Sequence, residues 1–316
     1  MTIQELKTLL ARFHIKPSHK LGQNFLLSEK ALDEIVNAAE LDSRDTVLEI
    51  GPGLGVLTRR LGERAGLVLA VEKDYKLVNA LRKLFKSKKN IKITQGDALF
   101  IDPLRITNNY ESTNPDSYIS KDSYFVGNSY KLIANIPYYI TGKLLQNFLS
   151  KGTPPTPSLA KEGELPLFVK ERAGESSRPS LMVLLLQKEV AERITARPGQ
   201  MSILSVSVQF YAQPEIVSQV SRTEFYPAPE VDSAVVKITP FPYPPHGWEG
   251  IDEKKFFRLV KIGFAGKRKQ LHNNLASGLG AERDYKKILE SLGLNPLARA
   301  QDLSMEHWQK LYKILS

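Results

Sequence analysis

Asn135-Ile136-Pro137-Tyr138 is the segment of this chain best equipped for chemistry. The exocyclic amino group of an adenine is a poor nucleophile, because its lone pair is delocalised into the ring. If the Asn135 side-chain oxygen and the Ile136 carbonyl each accept one of its N–H bonds, a pyramidal nitrogen is favoured. The lone pair is then free for in-line attack on a sulfonium methyl. Pro137 would fix the turn, and Tyr138 would give an extruded base a face to stack on. Positioning would supply most of the acceleration, and no acid with a shifted pKa is needed. The bland alternative is a strand-ending proline turn with a core tyrosine, which Asn-x-Pro-Tyr makes the weaker reading.

Three further sites lie upstream. Gly51-x-Gly53-x-Gly55 lets the backbone turn tightly and approach a ligand closely. Its spacing is not the G-x-G-x-x-G of a pyrophosphate cradle, so it points to a cofactor without phosphates. Glu72 ends the next apolar run, where a carboxylate can accept both hydroxyls of a ribose; otherwise it is a solvated charge beside Lys73. Asp97, in Gly96-Asp97-Ala98, can accept the amino group of a cofactor adenine or can simply be an Asx-turn residue.

Downstream, Phe225-Tyr226-Pro227-Ala228-Pro229 is a stiff aromatic turn. Phe225 is read either as the second face of a base sandwich or as a core ring on a rigid loop. The basic cluster Lys267-Arg268-Lys269 suits phosphate contacts on RNA, or is a solvated helix end. The histidines are scattered without metal-ligand spacing, so no metal is assigned.

The elements that must hold these residues follow from apolar periodicity. Thr46–Ile50, Leu67–Val71, Ile91–Thr94 and Lys131–Ala134 read as buried strands. Helices over Val56–Arg64 and Asp74–Lys86 separate the first three. Such alternation predicts a parallel, doubly wound α/β sheet with ligands at the carboxyl ends of its strands, where the glycine turn, Glu72, Asp97 and the Asn135 turn all fall. Met1–Phe13 and Ser28–Glu40 read as helices flanking a basic arm, Lys16–Leu26. Ile203–Tyr211 and Val231–Ile238 read as further strands, Pro240–Gly250 as a linker, and the rest as helical. Arg105–Tyr130 and Ser150–Ser180 lack periodicity and read as long loops, the second of them mobile.

The 316 residues and 42% hydrophobic content suit one large or two modest domains. Without cysteine there are no disulfides, thiolate metal sites or cysteine nucleophile. No signal peptide is read at Met1–Leu10, and the apolar run Leu181–Leu186 is too short for a bilayer. A soluble, cytoplasmic protein is therefore expected. The net charge of +10 favours a polyanionic partner.

Eight ordered motifs resemble the ribosomal RNA adenine dimethyltransferases of the KsgA/RsmA type. They are Leu21-Gly22-Gln23-Asn24-Phe25-Leu26, Glu49-Ile50-Gly51-Pro52-Gly53, Glu72, Gly96-Asp97, and Asn135-Ile136-Pro137-Tyr138 with Leu186-Gln187-Lys188-Glu189-Val190. Phe225-x-Pro227-x-Pro229-x-Val231-Asp232-Ser233 and Lys269-Gln270-Leu271-His272-Asn273-Asn274-Leu275 complete the series. The resemblance implies a Rossmann-like S-adenosylmethionine-dependent methyltransferase sheet over residues 1–240, with an N-terminal arm at 1–27. A small all-helical RNA-binding domain would occupy 251–316. Asn24, Leu26, Gly51, Gly53, Glu72, Asp97, Ala98 and Asn135 would hold S-adenosylmethionine, with Asn135 to Tyr138 and Phe225 at the target base. The implied product is N6,N6-dimethyladenosine at two adjacent adenosines near the 3′ end of small-subunit (16S) rRNA. The substrate would be a pre-assembled 30S particle, met by a monomer without metal or membrane.

The loops 105–130 and 150–180 are longer than that family leads one to expect, and Met201-Ser202 stand where it often has Tyr-Gly. Three alternatives stay open. A large-subunit (23S) rRNA enzyme of the macrolide-resistance type is disfavoured by Leu186–Val190 and the Asn-Asn-Leu helix. A nicotinamide-dependent dehydrogenase would need a third phosphate-loop glycine and a hydride-transfer acid/base. A catalytically silent ribosome-assembly or transcription factor sits poorly with an intact Asn135-x-Pro137-Tyr138.

Overall fold

The computed structural model describes residues 1–18, 21–100, 129–150, 178–242 and 247–316, with the backbone alone at Tyr138. Most of the stretches 105–130 and 150–180, read above as long loops, lies outside the described residues. The elements are α1 (Ile3–Arg12), β1 (Phe25–Leu26), α2 (Glu29–Ala38), β2 (Thr46–Ile50), α3 (Val56–Arg64), β3 (Leu67–Glu72), α4 (Tyr75–Leu84), β4 (Ile91–Gln95), β5 (Lys131–Asn135), α5 (Thr141–Leu149), β6 (Leu181–Gln187), α6 (Lys188–Ile194), α7 (Ile203–Tyr211), β7 (Ala212–Val220), β8 (Phe225–Tyr226), β9 (Ser233–Pro240), α8 (Glu253–Phe264), α9 (Leu271–Leu279), α10 (Tyr285–Ser291) and α11 (Met305–Leu315).

Seven strands form one sheet in the order β4-β3-β2-β5-β6-β9-β7. The chain winds outward from β2 through β3 to β4, then returns to place β5 on the other side of β2. That reversal opens a crevice beyond the carboxyl ends of β2 and β5, the usual ligand position in such sheets. β2 to β6 pair in parallel, but β9 runs antiparallel to β6, from Met182 against Ile238 to Gln187 against Ser233. The expected all-parallel sheet is therefore corrected to a mixed one. Between β6 and β9 the chain passes through α6, α7, β7 and β8, and nothing in the apolar pattern of residues 233–240 reveals strand direction.

The helix starts follow local chemistry. Asp74 caps α4 by accepting the Lys76 N–H at 2.9 Å, and Ser28 caps α2 through the Ala31 N–H at 3.3 Å. α3 begins instead at Gly55, whose φ is +79°. A Cβ there would lie 2.4 Å from the Phe85 ring and 2.9 Å from Leu81. Gly55→Ala is therefore expected to cost about 3 kcal/mol, from left-handed strain plus overpacking. The urea midpoint, compared at equal slope, checks this.

The arm between α1 and α2 is held from two sides. Phe25 pairs with Tyr226, and Leu26 with Phe225, in a two-stranded antiparallel ribbon. Phe25 also packs with Leu6 and Leu10 of α1, Leu54 of the glycine turn and Leu77 of α4. Gln23 accepts the Ser18 N–H at 2.8 Å and donates to Asp74 at 3.0 Å. The arm thus reaches the strand ends as a fixed wall.

Ile203–Tyr211 is a helix, not the strand expected from its alternating β-branched residues. Ser202 and Ser205 form a reciprocal cap, Ser205 N–H to Ser202 Oγ at 3.2 Å and Ser202 N–H to Ser205 Oγ at 2.8 Å. Burial of Val206, Val208, Phe210 and Tyr211 then overrides their strand preference.

The chain divides into two compact units, the second comprising residues 192–214 and 241–316 among those described. So α7 belongs with the C-terminal helices. Phe210 is their aromatic hub, with ring centroids 4.7 Å from Trp248 and 5.0 Å from Phe256. Buried Asn274 of α9 donates to the Gly263 carbonyl at 2.6 Å and the Gly266 carbonyl at 3.2 Å. This satisfies the end of α8 and pins the turn bearing Lys267, Arg268 and Lys269, all exposed. Among the described residues no helix is long and apolar enough to cross a membrane.

Candidate active site

One pocket, open to solvent, lies over the crevice between β2 and β5. Asn24, Leu26, Gly51, Gly53, Glu72, Asp97, Ala98 and Asn135 all line it, as do Ile136 and Pro137. Sequence reasoning thus selected residues that the fold brings together from the arm and from four strand ends. The side chain of Tyr138 lies outside the described residues. Lys267, Arg268 and Lys269 belong to the other unit and do not line the pocket.

The glycine turn forms the floor. Gly51 has φ +67°, and a Cβ built there meets nothing closer than the Asn135 carbonyl at 3.7 Å, so its face stays open. Glu72 stands behind the turn, accepting the Gly53 N–H at 3.2 Å and the Asp74 N–H at 2.8 Å. Burial pushes its pKa up, and the backbone donors of Asp74, Gly53 and Lys73 pull it back. The carboxylate as a whole keeps acceptor capacity for a further donor.

Asp97 combines both of its sequence readings. One oxygen accepts the Leu99 N–H at 3.0 Å, an Asx turn, and the other meets Lys73 Nζ at 2.9 Å. That pairing holds the Lys73 pKa above its ordinary value. The carboxylate therefore reaches the pocket already partnered, and any ligand shares it with Lys73.

Asn135 ends β5, and its Nδ2 donates to the Asn24 carbonyl of the arm at 3.2 Å. A carbonyl only accepts, so the amide nitrogen must face it. The side-chain oxygen is left as the group available to the pocket. The Ile136 N–H is taken by the Leu185 carbonyl at 3.3 Å, and the Pro137 carbonyl closes the turn on the Ile140 N–H at 3.1 Å.

Phe225 requires a correction. It is only 3% exposed, packs in the core with Leu26 and Leu32, and does not line the pocket. Its ring has no free face for a base. What it does is hold Leu26, and with it the arm carrying Asn24.

Glu49 was not singled out as a site residue. It lines the pocket with 1% exposure, and its Oε2 has no hydrogen-bond partner. Burial drives its pKa up to about 8, Thr58 lowers it in part and the Glu72 charge adds to the rise. The signal was present: one acid inside the apolar run Thr-Val-Leu-Glu-Ile.

A doubly wound sheet with this pocket at its switch point is the fold of a Rossmann-like methyltransferase. The chain belongs to the ribosomal RNA adenine dimethylase family, which it matches over residues 15–316. It is 40% identical to a protein of Dehalococcoides mccartyi named ribosomal RNA small subunit methyltransferase A, over 97% of this chain and 91% of that one. A protein of the same name in Pelotomaculum thermopropionicum is 38% identical over 97% and 94%. Among solved structures, a dimethyladenosine transferase from Plasmodium falciparum is 25% identical, with a TM-score of 0.64 over 91% of this chain and 95% of that one. The 23S rRNA methyltransferase ErmE matches in fold, with a TM-score of 0.67 and 24% identity over 92% and 99%. The family read from these motifs is thereby borne out.

Proposed function

We propose that the chain transfers methyl groups from S-adenosylmethionine to N6 of two adjacent adenosines near the 3′ end of small-subunit rRNA, within a pre-assembled particle. The observation that carries this reading is the orientation of Asn135, whose nitrogen is spent on the Asn24 carbonyl at 3.2 Å, leaving an acceptor at the pocket. The relatives quoted above, named for the small subunit, support the choice of rRNA over its large-subunit alternative.

The residues present suit the donor. Gly51 leaves open floor where a side chain would intrude. Glu72 offers acceptors for ribose hydroxyls, and the buried unpartnered oxygen of Glu49 suits a cationic ligand. When bound, S-adenosylmethionine supplies an electrophilic methyl on a sulfonium. Asn135 and the Ile136 carbonyl accept the two N–H bonds of the target amine, orienting its lone pair. Apolar Pro137 and Ile140 shield that amine from water, and Lys267 to Lys269 offer charge for RNA phosphates.

Incubating the chain with labelled S-adenosylmethionine and, in parallel, undermethylated small subunits or large subunits, followed by nucleoside analysis, tests the reading. Label is expected in N6,N6-dimethyladenosine at two neighbouring positions. Label confined to large-subunit rRNA, or none in either, overturns it.

A further inference from the structure

With Phe225 buried, the pocket needs a different exposed aromatic, and Tyr139 is one. It follows Asn135-Ile136-Pro137-Tyr138 directly, on the 3-10 turn Tyr138–Ile140, and it lines the pocket while 59% exposed. Tyr75 and Phe100 are as exposed, but neither lines the pocket. The Tyr139 ring is not loose. Gly22 of the arm has φ +60°, and a Cβ there would sit 3.3 Å from Pro137 Cβ and 3.7 Å from Tyr139 Cδ1. The arm therefore backs the turn and the ring together. Ile140, buried next in sequence, anchors the other side.

A large ring held at a pocket mouth with most of its surface in water is suited to stacking on a flat partner. The Lys73 ammonium is already paired with Asp97 at 2.9 Å. The substrate proposed above presents two neighbouring adenosines, and a pocket that holds one amino group leaves the other base outside. An unstacked base at a protein surface is stabilised by an aromatic face whatever its identity.

We infer that Tyr139 is a positioning residue: its exposed ring stacks the nucleotide adjacent to the target adenosine and so registers the pair against the pocket. This rests on the function proposed above, and methylation of small subunits by the parent chain is the control that tests that function separately.

The test uses the full chain, undermethylated small subunits and three variants. Tyr139→Ala and Tyr139→Leu are expected to raise KM for the subunits about tenfold, the loss of one base–aromatic stack. The dissociation constant for S-adenosylmethionine should stay within about twofold of the parent's, since the ring is assigned to RNA. Tyr139→Phe should restore KM, because the face and not the hydroxyl is used. Leucine keeps apolar packing against Gly22, so a folding failure of the alanine variant does not remove the test. Parent-like KM in the leucine variant overturns the inference. So does a loss of donor affinity, which would make the ring a cover over the donor, or a phenylalanine variant as impaired as leucine.

Discussion

Asn135→Ala is expected to lower the rate of adenosine methylation by about 10²–10³-fold, the scale on which enzymes lose rate when one preorganised polar group at the reacting centre is removed. Binding of RNA should largely survive, because the basic turn at Lys267 to Lys269 lies in the other unit. Donor affinity should fall less than rate, since Glu72, Gly51 and Asp97 remain. Two features of the structure make the effect large. The side chain ends a central strand, paired with Leu185 of β6, so its Cα cannot drift. Its amide is also oriented by the Asn24 carbonyl at 3.2 Å, so no reorganisation is needed when a substrate arrives. Asn135→Asp separates these contributions. It keeps an acceptor oxygen but sets a second oxygen against the Asn24 carbonyl, where donation is lost. An intermediate rate is expected for aspartate, with the arm-side hydrogen bond as the difference. Single-turnover kinetics at saturating donor decide, and near-parent rates in the alanine variant would remove Asn135 from the chemistry.

The parts of this site that were legible in sequence are those fixed by local chemistry. Apolar runs bounded by glycine, as at Thr46–Ile50 and Leu67–Val71, can only be buried strands in a sheet of this kind, and strand ends then place Gly51, Glu72, Asp97 and Asn135 together. What sequence could not show depended on partners distant in the chain. Residues 203–211 alternate like a strand, yet a cap from Ser202 and aromatic neighbours at Trp248 and Phe256 make them a helix. Phe225 sits in a motif beside the target-base loop, but pairing with Leu26 turns its ring inward. The antiparallel placement of β9 is likewise set by the sheet, since Val235 and Val236 are equally apolar in either direction. Asp97 proved to be turn residue and ion-pair partner at once, because its two oxygens face different neighbours.

Glu49→Gln is the other large change expected, and it is one of stability. The parent carboxyl is buried with a pKa near 8, raised chiefly by loss of water and further by the Glu72 charge. Its folded pKa therefore lies above its unfolded one, which is about 4.3. Between those values the folded chain holds a proton that the unfolded chain has released. Stability is then greatest below the unfolded pKa, falls as pH rises through the window, and levels off above about pH 8. At about 1.4 kcal/mol per pKa unit, the fall amounts to a few kcal/mol. Glutamine has nearly the same shape and cannot ionise, so the variant should melt close to the parent at pH 5 and about 5–10 °C higher at pH 9. Thermal unfolding of the two chains at both pH values reads this directly. A destabilising acid in this position makes sense if its charged form has a use. A cation in the pocket would favour carboxylate over acid, so binding of the sulfonium donor near pH 7 should release a proton from the parent and not from the glutamine variant. Titration calorimetry in buffers of different ionisation enthalpy detects that proton. Equal release by both chains would assign it to another group, and a glutamine variant no more stable than the parent at pH 9 would show that Glu49 is not held neutral.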